Sequence, residues 1–207
     1  MPLQNRVDPY GRLHAVQARG AWMGNRGVLH DAEKRIVAAW RLTRWITCVL
    51  RFKDRHREVF APGRYSELFF LDEATSLAAG HRPCAECRRS RYVEFRAAWT
   101  AGRGRTAAEA PGAEELDRVL HEERWTRARE KKTYASALAS LPDGSMVEHG
   151  GRAHAWRGGR LLPWSFEGYG PAVAVSPAAR VAVLTPLSIV GAMRAGFVPQ
   201  LHESAGD

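Results

Sequence analysis

The chain is poor in cysteine, with three among 207 residues, and its lysines are only Lys34, Lys53, Lys131 and Lys132. Three cysteines are too few, and odd in number, for the disulfide framework of a small secreted protein. No apolar run approaches the roughly 18 residues that a membrane span requires. The N-terminus also lacks the apolar core of a signal peptide. We therefore expect a cytoplasmic protein.

Positive charge is abundant and comes mostly from arginine. The formal net charge is +9, while 45% of the residues are hydrophobic and 26% are charged, the balance of a folded globular chain. Arginine suits phosphate because its planar guanidinium binds two oxygens at once. The charge predicts a nucleic-acid partner, DNA in particular. A GC-rich genome would also produce an arginine-rich, lysine-poor chain, so charge alone does not decide the partner.

Apolar and aromatic runs in the first half predict an α+β fold. Trp45–Phe52 reads as a strand, with residues 53–57 as a connection and Glu58–Phe60 as its return partner in a hairpin. Tyr65–Leu71 is expected to be a third strand. A short helix should cover Asp72–Ala79, because Asp72 is a favourable N-cap and glycine follows the segment.

A second, arginine-rich helix is predicted from Cys84 to about Trp99. Tyr92, Phe95 and Trp99 form one apolar stripe on it, which indicates a core-facing side rather than a base-stacking surface. The Ala/Gly/Arg-rich segment Thr100–Gly112 reads as a linker.

The second half is expected to combine a charged helix with a β-meander. The helix should run from Ala113 to about Lys132, and glycine pairs then separate several short apolar strands. Arg180–Leu184 is a further predicted strand, and a last helix should end at Ala195. We divide the chain into a zinc-bearing half, 1–102, and a helix-plus-meander half, 113–207, which together form either two units or one continuous domain.

The most specific motif is the Cys-x-x-Cys pair formed by Cys84 and Cys87. This spacing lets two thiolates converge on one tetrahedral ion, which predicts Zn²⁺. A structural zinc site needs four ligands, so two more must come from elsewhere. The candidates are Cys48, His81, His56 and His30.

Residues 69–87 resemble the second half of the Ada-type metal-binding domain of bacterial DNA repair proteins. The likeness rests on a strand and short helix followed by Ala78-Ala79-Gly80-His81-Arg82-Pro83-Cys84-Ala85-Glu86-Cys87. It implies that Cys84 and Cys87 deliver two zinc thiolates beside DNA. The family's first cysteine pair, which includes its methyl acceptor, is absent, because the corresponding region reads Asp54-Arg55-His56-Arg57-Glu58. The resemblance therefore implies a structural site, with His56 as a replacement ligand.

Two enzymatic alternatives remain. His56-x-Glu58 followed by Pro83-Cys84-x-x-Cys87 has the form of the zinc nucleobase deaminase signature, with Glu58 as the proton shuttle. The hairpin expected around His56 and the helix before Cys84 do not match that fold. A nuclease or repair enzyme would instead use histidine–acid pairs, for which His30 and His121 are the candidates.

We expect a zinc-binding, nucleic-acid-interacting protein, related to DNA repair or defence, whose metal site is structural. Whether it is an enzyme is left open. The predicted phosphate contacts are Arg82, Arg88, Arg89 and Arg91, which lie beside the metal pair and at the start of the following helix.

Overall fold

The computed structural model describes residues 1–53, 58–126, 128 and 130–206 and contains both helices and sheets, which confirms the α+β class. Its α-helices are α1 (Glu73–Ala78), α2 (Arg89–Ala101), α3 (Ala113–Arg124) and α4 (Leu187–Arg194). Short 3-10 turns cover Ala107–Glu109, Leu138–Ser140 and Glu203–Ala205.

The first half builds a mixed six-stranded sheet in the order β2-β1-β5-β3-β4-β6. Two of its pairings, β1 with β5 and β4 with β6, are parallel, and the others are antiparallel. Its strands are β1 (Arg6–Val7), β2 (Leu13–His14), β3 (Trp22–Asn25), β4 (Ile46–Cys48), β5 (Leu68–Phe70) and β6 (Arg82–Pro83).

The predicted hairpin is wrong, although strands occur near two of the predicted places. Strand β4 pairs with β3 and β6, and Glu58–Phe60 forms no strand. Phe60 instead has a left-handed backbone, with φ of 60°, and its N–H donates to the Glu67 carboxylate. Of the predicted connection, residues 54–57 lie outside the described part of the chain.

Helix α1 forms where its capping residues predict it. The Asp72 carboxylate accepts a hydrogen bond from Thr75 N–H at 2.8 Å, and Gly80 follows the helix with φ of 88°. Helix α2 begins at Arg89 rather than Cys84, because residues 85–88 form a turn before it.

The apolar stripe of α2 is buried, as predicted. Tyr92, Phe95 and Trp99 pack in one cluster with residues of α1, α3 and α4 and with Phe197. Because α4 and Phe197 belong to the second half of the chain, the two predicted halves share this core. Its remaining buried members are Leu77, Ala98, Leu116, Leu120, Ile189, Ala192 and Met193.

The second half builds a sheet in the order β11-β10-β9-β8-β13-β7, with β12 also pairing with β10. Consecutive hairpins join β8, β9 and β10, whereas β13 and β7 are added out of chain order. Helix α3 stops at Arg124, short of the predicted Lys132, because Trp125 is extended. The strands are β7 (Tyr134–Ala137), β8 (Met146–His149), β9 (Arg152–Arg157), β10 (Arg160–Ser165), β11 (Gly168–Tyr169), β12 (Val173–Ala174) and β13 (Arg180–Val183).

Candidate metal centre

Parallel pairing of β4 with β6 brings Cys48 to the Cys-x-x-Cys pair. Ile46 lies opposite Arg82 and Thr47 opposite Pro83, so the next residues along both strands are Cys48 and Cys84. The N–H of Cys84 donates to the carbonyl of Thr47 at 2.9 Å, which fixes this register. Since the carboxyl ends of parallel strands meet at one edge, two cysteines distant in sequence become neighbours.

The three thiols form one compact cluster. The sulfur atoms of Cys48, Cys84 and Cys87 all lie within 4.8 Å of one another. Tetrahedral thiolates bound to zinc at 2.3 Å would be separated by about 3.8 Å, so a small contraction would close the site. Cys84 is buried, and the other two are half-buried. Three cysteines therefore stand close enough to bind one metal ion.

Hydrogen bonds to sulfur favour a thiolate at Cys84. The thiols of Cys48 and Cys87 and the backbone N–H groups of Cys87 and Glu86 donate to Cys84, which lowers its pKa. The Glu86 N–H lies 3.4 Å from the sulfur. The pKa of Cys48 is raised, because its thiol donates to Cys84 and Cys87 and is buried. One negative charge is thus accommodated, and a cation would favour the loss of further protons.

His81, a predicted ligand, lies in a different environment. It is completely buried, its ring is 4.7 Å from that of Phe70 and 5.1 Å from that of Trp45, and its Nε2 accepts a hydrogen bond from Arg26 at 3.2 Å. Burial and the charges of Arg26 and Arg124 lower the pKa of His81. Within the described residues, only the three cysteines form a potential metal-binding group. Another predicted ligand, His56, lies outside the described residues.

Two buried guanidinium groups enclose the Trp45 ring beside His81. Those of Arg26 and Arg124 lie 3.9 and 4.3 Å from the Trp45 ring centre. Burial lowers the pKa of each to about 9. Lys131 belongs to the same group, and its ammonium donates to the carbonyl of Ala78. The aromatic contacts of the two guanidinium groups and the carbonyl contact of Lys131 offset part of the cost of burying these charges.

The four predicted phosphate contacts have different surroundings. Arg82 and Arg88 are buried and make ion pairs with Asp117 and Glu73, at 2.8 and 2.6 Å. Arg91 also binds Glu73, at 2.6 Å. Arg89 is exposed at the first turn of α2. Three of these guanidinium groups are therefore held by carboxylates inside the fold, and Arg89 is the member of this set that faces solvent.

The predicted catalytic residues do not gather at the sulfurs. Glu58 is exposed and pairs with Lys34. His30 is buried, donates to or accepts from the Ser66 hydroxyl at 2.7 Å and stacks on Phe60. His121 lies on α3, and burial together with the charge of Arg124 lowers its pKa. The described geometry therefore places none of these residues in the cysteine cluster.

Sequence reasoning did not identify Glu67, which lines a cavity beside the cysteines. Glu67 is 5% exposed, and its Oε2 accepts from the Phe60 N–H at 2.9 Å. Its Oε1 is buried with no hydrogen-bond partner among the described residues. The available signal was a charged residue inside the predicted strand Tyr65–Leu71.

Comparison with known proteins returns no relative: no protein-family model, no curated protein and no solved structure matches the chain. Among the described residues, no helix combines the length and the apolar character needed to cross a membrane.

Proposed function

We propose that the chain binds Zn²⁺ through Cys48, Cys84 and Cys87. The observation that carries this proposal is the convergence of three sulfurs, one from strand β4, one directly after strand β6 and one from the turn that follows. Thiolates are the ligands that Zn²⁺ prefers in tetrahedral sites, and N–H groups directed at Cys84 support its charge. Unpaired thiols of this kind fit a reducing compartment, which supports a cytoplasmic location.

The proposed site joins strand β4 to the turn that starts helix α2. Cys48 ends the strand, Cys84 precedes the turn and Cys87 lies in it, so the metal would form a zinc knuckle between elements far apart in sequence. Zinc binding would therefore contribute to folding, on the order of 10 kcal/mol in comparable small sites. His56 remains the candidate for a fourth protein ligand.

Metal content tests the proposal directly. The wild-type chain, purified and then dialysed against Zn²⁺, should retain about one equivalent by plasma mass spectrometry, whereas Cys48→Ser should lose most of it. Cys84→Ser and Cys87→Ser should behave in the same way. The exposed residue His149 supplies a matched control, because His149→Ala should keep the metal. A wild-type chain that takes up no zinc would overturn the proposal.

His56→Ala and His81→Ala complete the assignment of the ligands. We expect His81→Ala to retain zinc, since His81 packs against Trp45 and Phe70 away from the cluster. Loss of zinc affinity in His56→Ala alone would identify the fourth ligand. Retention in both variants would leave the fourth position to water or to a bound molecule.

We further propose that the metal-bearing unit interacts with nucleic acid in a role related to DNA repair or defence. The resemblance of residues 69–87 to the Ada-type domain favours this partner. The net charge of +9 and the exposed Arg89 beside the cysteine turn support this. Binding to a short DNA duplex should weaken steeply with salt. Arg89→Glu should weaken it further, and Arg152→Glu on the other sheet is the matched control. A flat salt dependence would count against this interaction.

A further inference from the structure

One face of the first sheet collects polar and sulfur-bearing side chains. Met23 pairs with Cys48 on one side and with Phe69 on the other, so these three side chains share a face. Alternation along the strands adds Asn25, Ile46 and Glu67 to this face. Gly24, Thr47, Leu68 and Phe70 lie on the opposite face, which is buried.

A cavity of about 390 Å³ covers this face. The segment between β4 and β5 supplies aromatic walls through Phe52 and Tyr65, and the cysteine turn also contributes to the lining. Small-molecule sites in proteins start at about 300 Å³ and combine apolar walls with a few polar groups. The cavity has the size and the lining of such a site.

Glu67 supplies the polar group that most needs a ligand. One of its oxygens is bound to Phe60 N–H, and the other has no partner in the described part of the chain. A buried, unsatisfied carboxylate oxygen is unfavourable unless a donor reaches it. A ligand with an N–H group would satisfy it.

The sulfur cluster and Glu67 both line the cavity, but they are separated along the sheet face. Their strands are two strand spacings apart and the residues are offset by two positions, which gives about 12 Å between the Cα atoms of Cys48 and Glu67. Side chains on one face of a sheet point in the same direction, so this separation leaves room for one heteroaromatic ring system between them. Glu67 is therefore placed to contact a bound molecule rather than the metal.

Charges of both signs lie at the cavity, because the exposed residues Arg44 and Glu86 both line it. Exposed Arg51, Lys53 and Arg64 each lie next in sequence to a cavity-lining residue, Leu50, Phe52 or Tyr65. An anionic group attached to the ring would meet these cations.

We propose that this cavity binds a nucleotide, either free or within a single strand. The base lies against the aromatic walls, its exocyclic amino group donates to Glu67, and its phosphate is held by Arg44. This nucleotide site rests on the proposed function in one respect, because the metal bound at the cysteines would form part of the cavity wall.

Calorimetric titration of the zinc-loaded chain tests the assignment with CMP, AMP and GMP, which carry an exocyclic amino group, against UMP, which does not. We expect at least one amino-bearing nucleotide to bind roughly tenfold more tightly than UMP. Glu67→Gln keeps the side-chain shape and should weaken that nucleotide at least tenfold. Unchanged affinity in Glu67→Gln, or no binding by any nucleotide at about 1 mM, overturns the proposal.

Arg44→Ala provides a second test on an exposed residue that is independent of the buried acid. Arg44→Ala should abolish the tighter binding of a nucleotide relative to its nucleoside, whereas Arg118→Ala should leave this difference in affinity unchanged. If the nucleotide still binds Arg44→Ala more tightly than the nucleoside does, the assignment of Arg44 to the phosphate is wrong. A pentanucleotide of cytidine separates the two sources, because much tighter, salt-sensitive binding would indicate a strand.

Zinc measured in the same samples separates the two proposals. Glu67→Gln should retain the metal, since Glu67 lies outside the sulfur cluster. Zinc without nucleotide binding would refute the cavity assignment alone. Glu67-dependent nucleotide binding in a chain that takes up no zinc would refute the metal site alone.

Discussion

Replacing Asp117 with alanine should destabilise the fold strongly, because it leaves a buried cation unpaired. Arg82 donates to both oxygens of Asp117 at 2.8 Å, and the two side chains are 2% and 6% exposed. The Arg82 side chain also contacts the Pro83 carbonyl and the ring of Tyr92. Removal of one partner from such a pair typically costs about 3–5 kcal/mol, a large part of the stability of a single domain.

Urea unfolding followed by tryptophan fluorescence measures this cost. With a denaturant slope of about 2 kcal/mol per molar, the midpoint of Asp117→Ala should fall by about 1.5–2.5 M. The matched control is Arg118→Ala on the same helix, whose pair with Glu122 is exposed and should contribute less than about 1 kcal/mol. The double variant Arg82→Met/Asp117→Leu should recover most of the loss, because apolar side chains of similar size need no counter-charge.

The outcome bears on the role of Arg82 as well as on stability. A cost below about 1 kcal/mol for Asp117→Ala would refute a structural pair. So would a double variant no more stable than the single one. Either result would show that Asp117 is not the partner that stabilises the buried Arg82.

Two further predictions concern the buried core and its charges. Burial and the charges of Arg124 and Arg26 lower the pKa of Lys131 to about 7, so the unfolded chain binds more protons than the folded chain between about pH 7 and pH 10. Stability should rise with pH across this window, and Lys131→Met should flatten the rise in midpoints from urea titrations; an unchanged slope would contradict the assignment. Gly24→Ala should lower the free energy of unfolding by about 1–3 kcal/mol, because the new Cβ would stand 2.3 Å from the Phe70 ring. The Cβ of Gly112→Ala would meet no neighbour, so this control should be nearly neutral in thermal unfolding. Equal effects of the two substitutions would refute the packing argument.

Local chemistry made some elements predictable. Asp72 starts helix α1 by accepting from Thr75, and Gly80 follows it with a positive φ, as their residue types indicate. The stripe of Tyr92, Phe95 and Trp99 is buried because its spacing places all three on one side of α2. These features depend on residues close in sequence, so a single chain is enough to reveal them.

Non-local pairing explains the errors. Strand β4 was expected to return on Glu58–Phe60, but it joins β3 and β6, and nothing local to Ile46–Cys48 specifies those partners. The arginines beside the cysteines suggested a phosphate surface, yet Arg82 finds Asp117 at a distance of 35 residues in sequence. The net charge of a sequence includes such arginines, but it does not show whether they form ion pairs with carboxylates inside the fold.

The same pairing determines what kind of metal site the chain can form. A Cys-x-x-Cys turn supplies two ligands in any fold, so the character of the centre depends on what the rest of the fold adds. Here the parallel strand adds Cys48 from the sheet, whose exposed face continues into the cavity and on to Glu67. A third ligand from a separate helix or loop would not place the metal beside this sheet face. Because Cys48 and Glu67 share one sheet face, a metal bound at the sulfurs would border the cavity. The cavity, and not the cysteine spacing, would therefore determine whether the metal only stabilises the fold or also contacts a ligand.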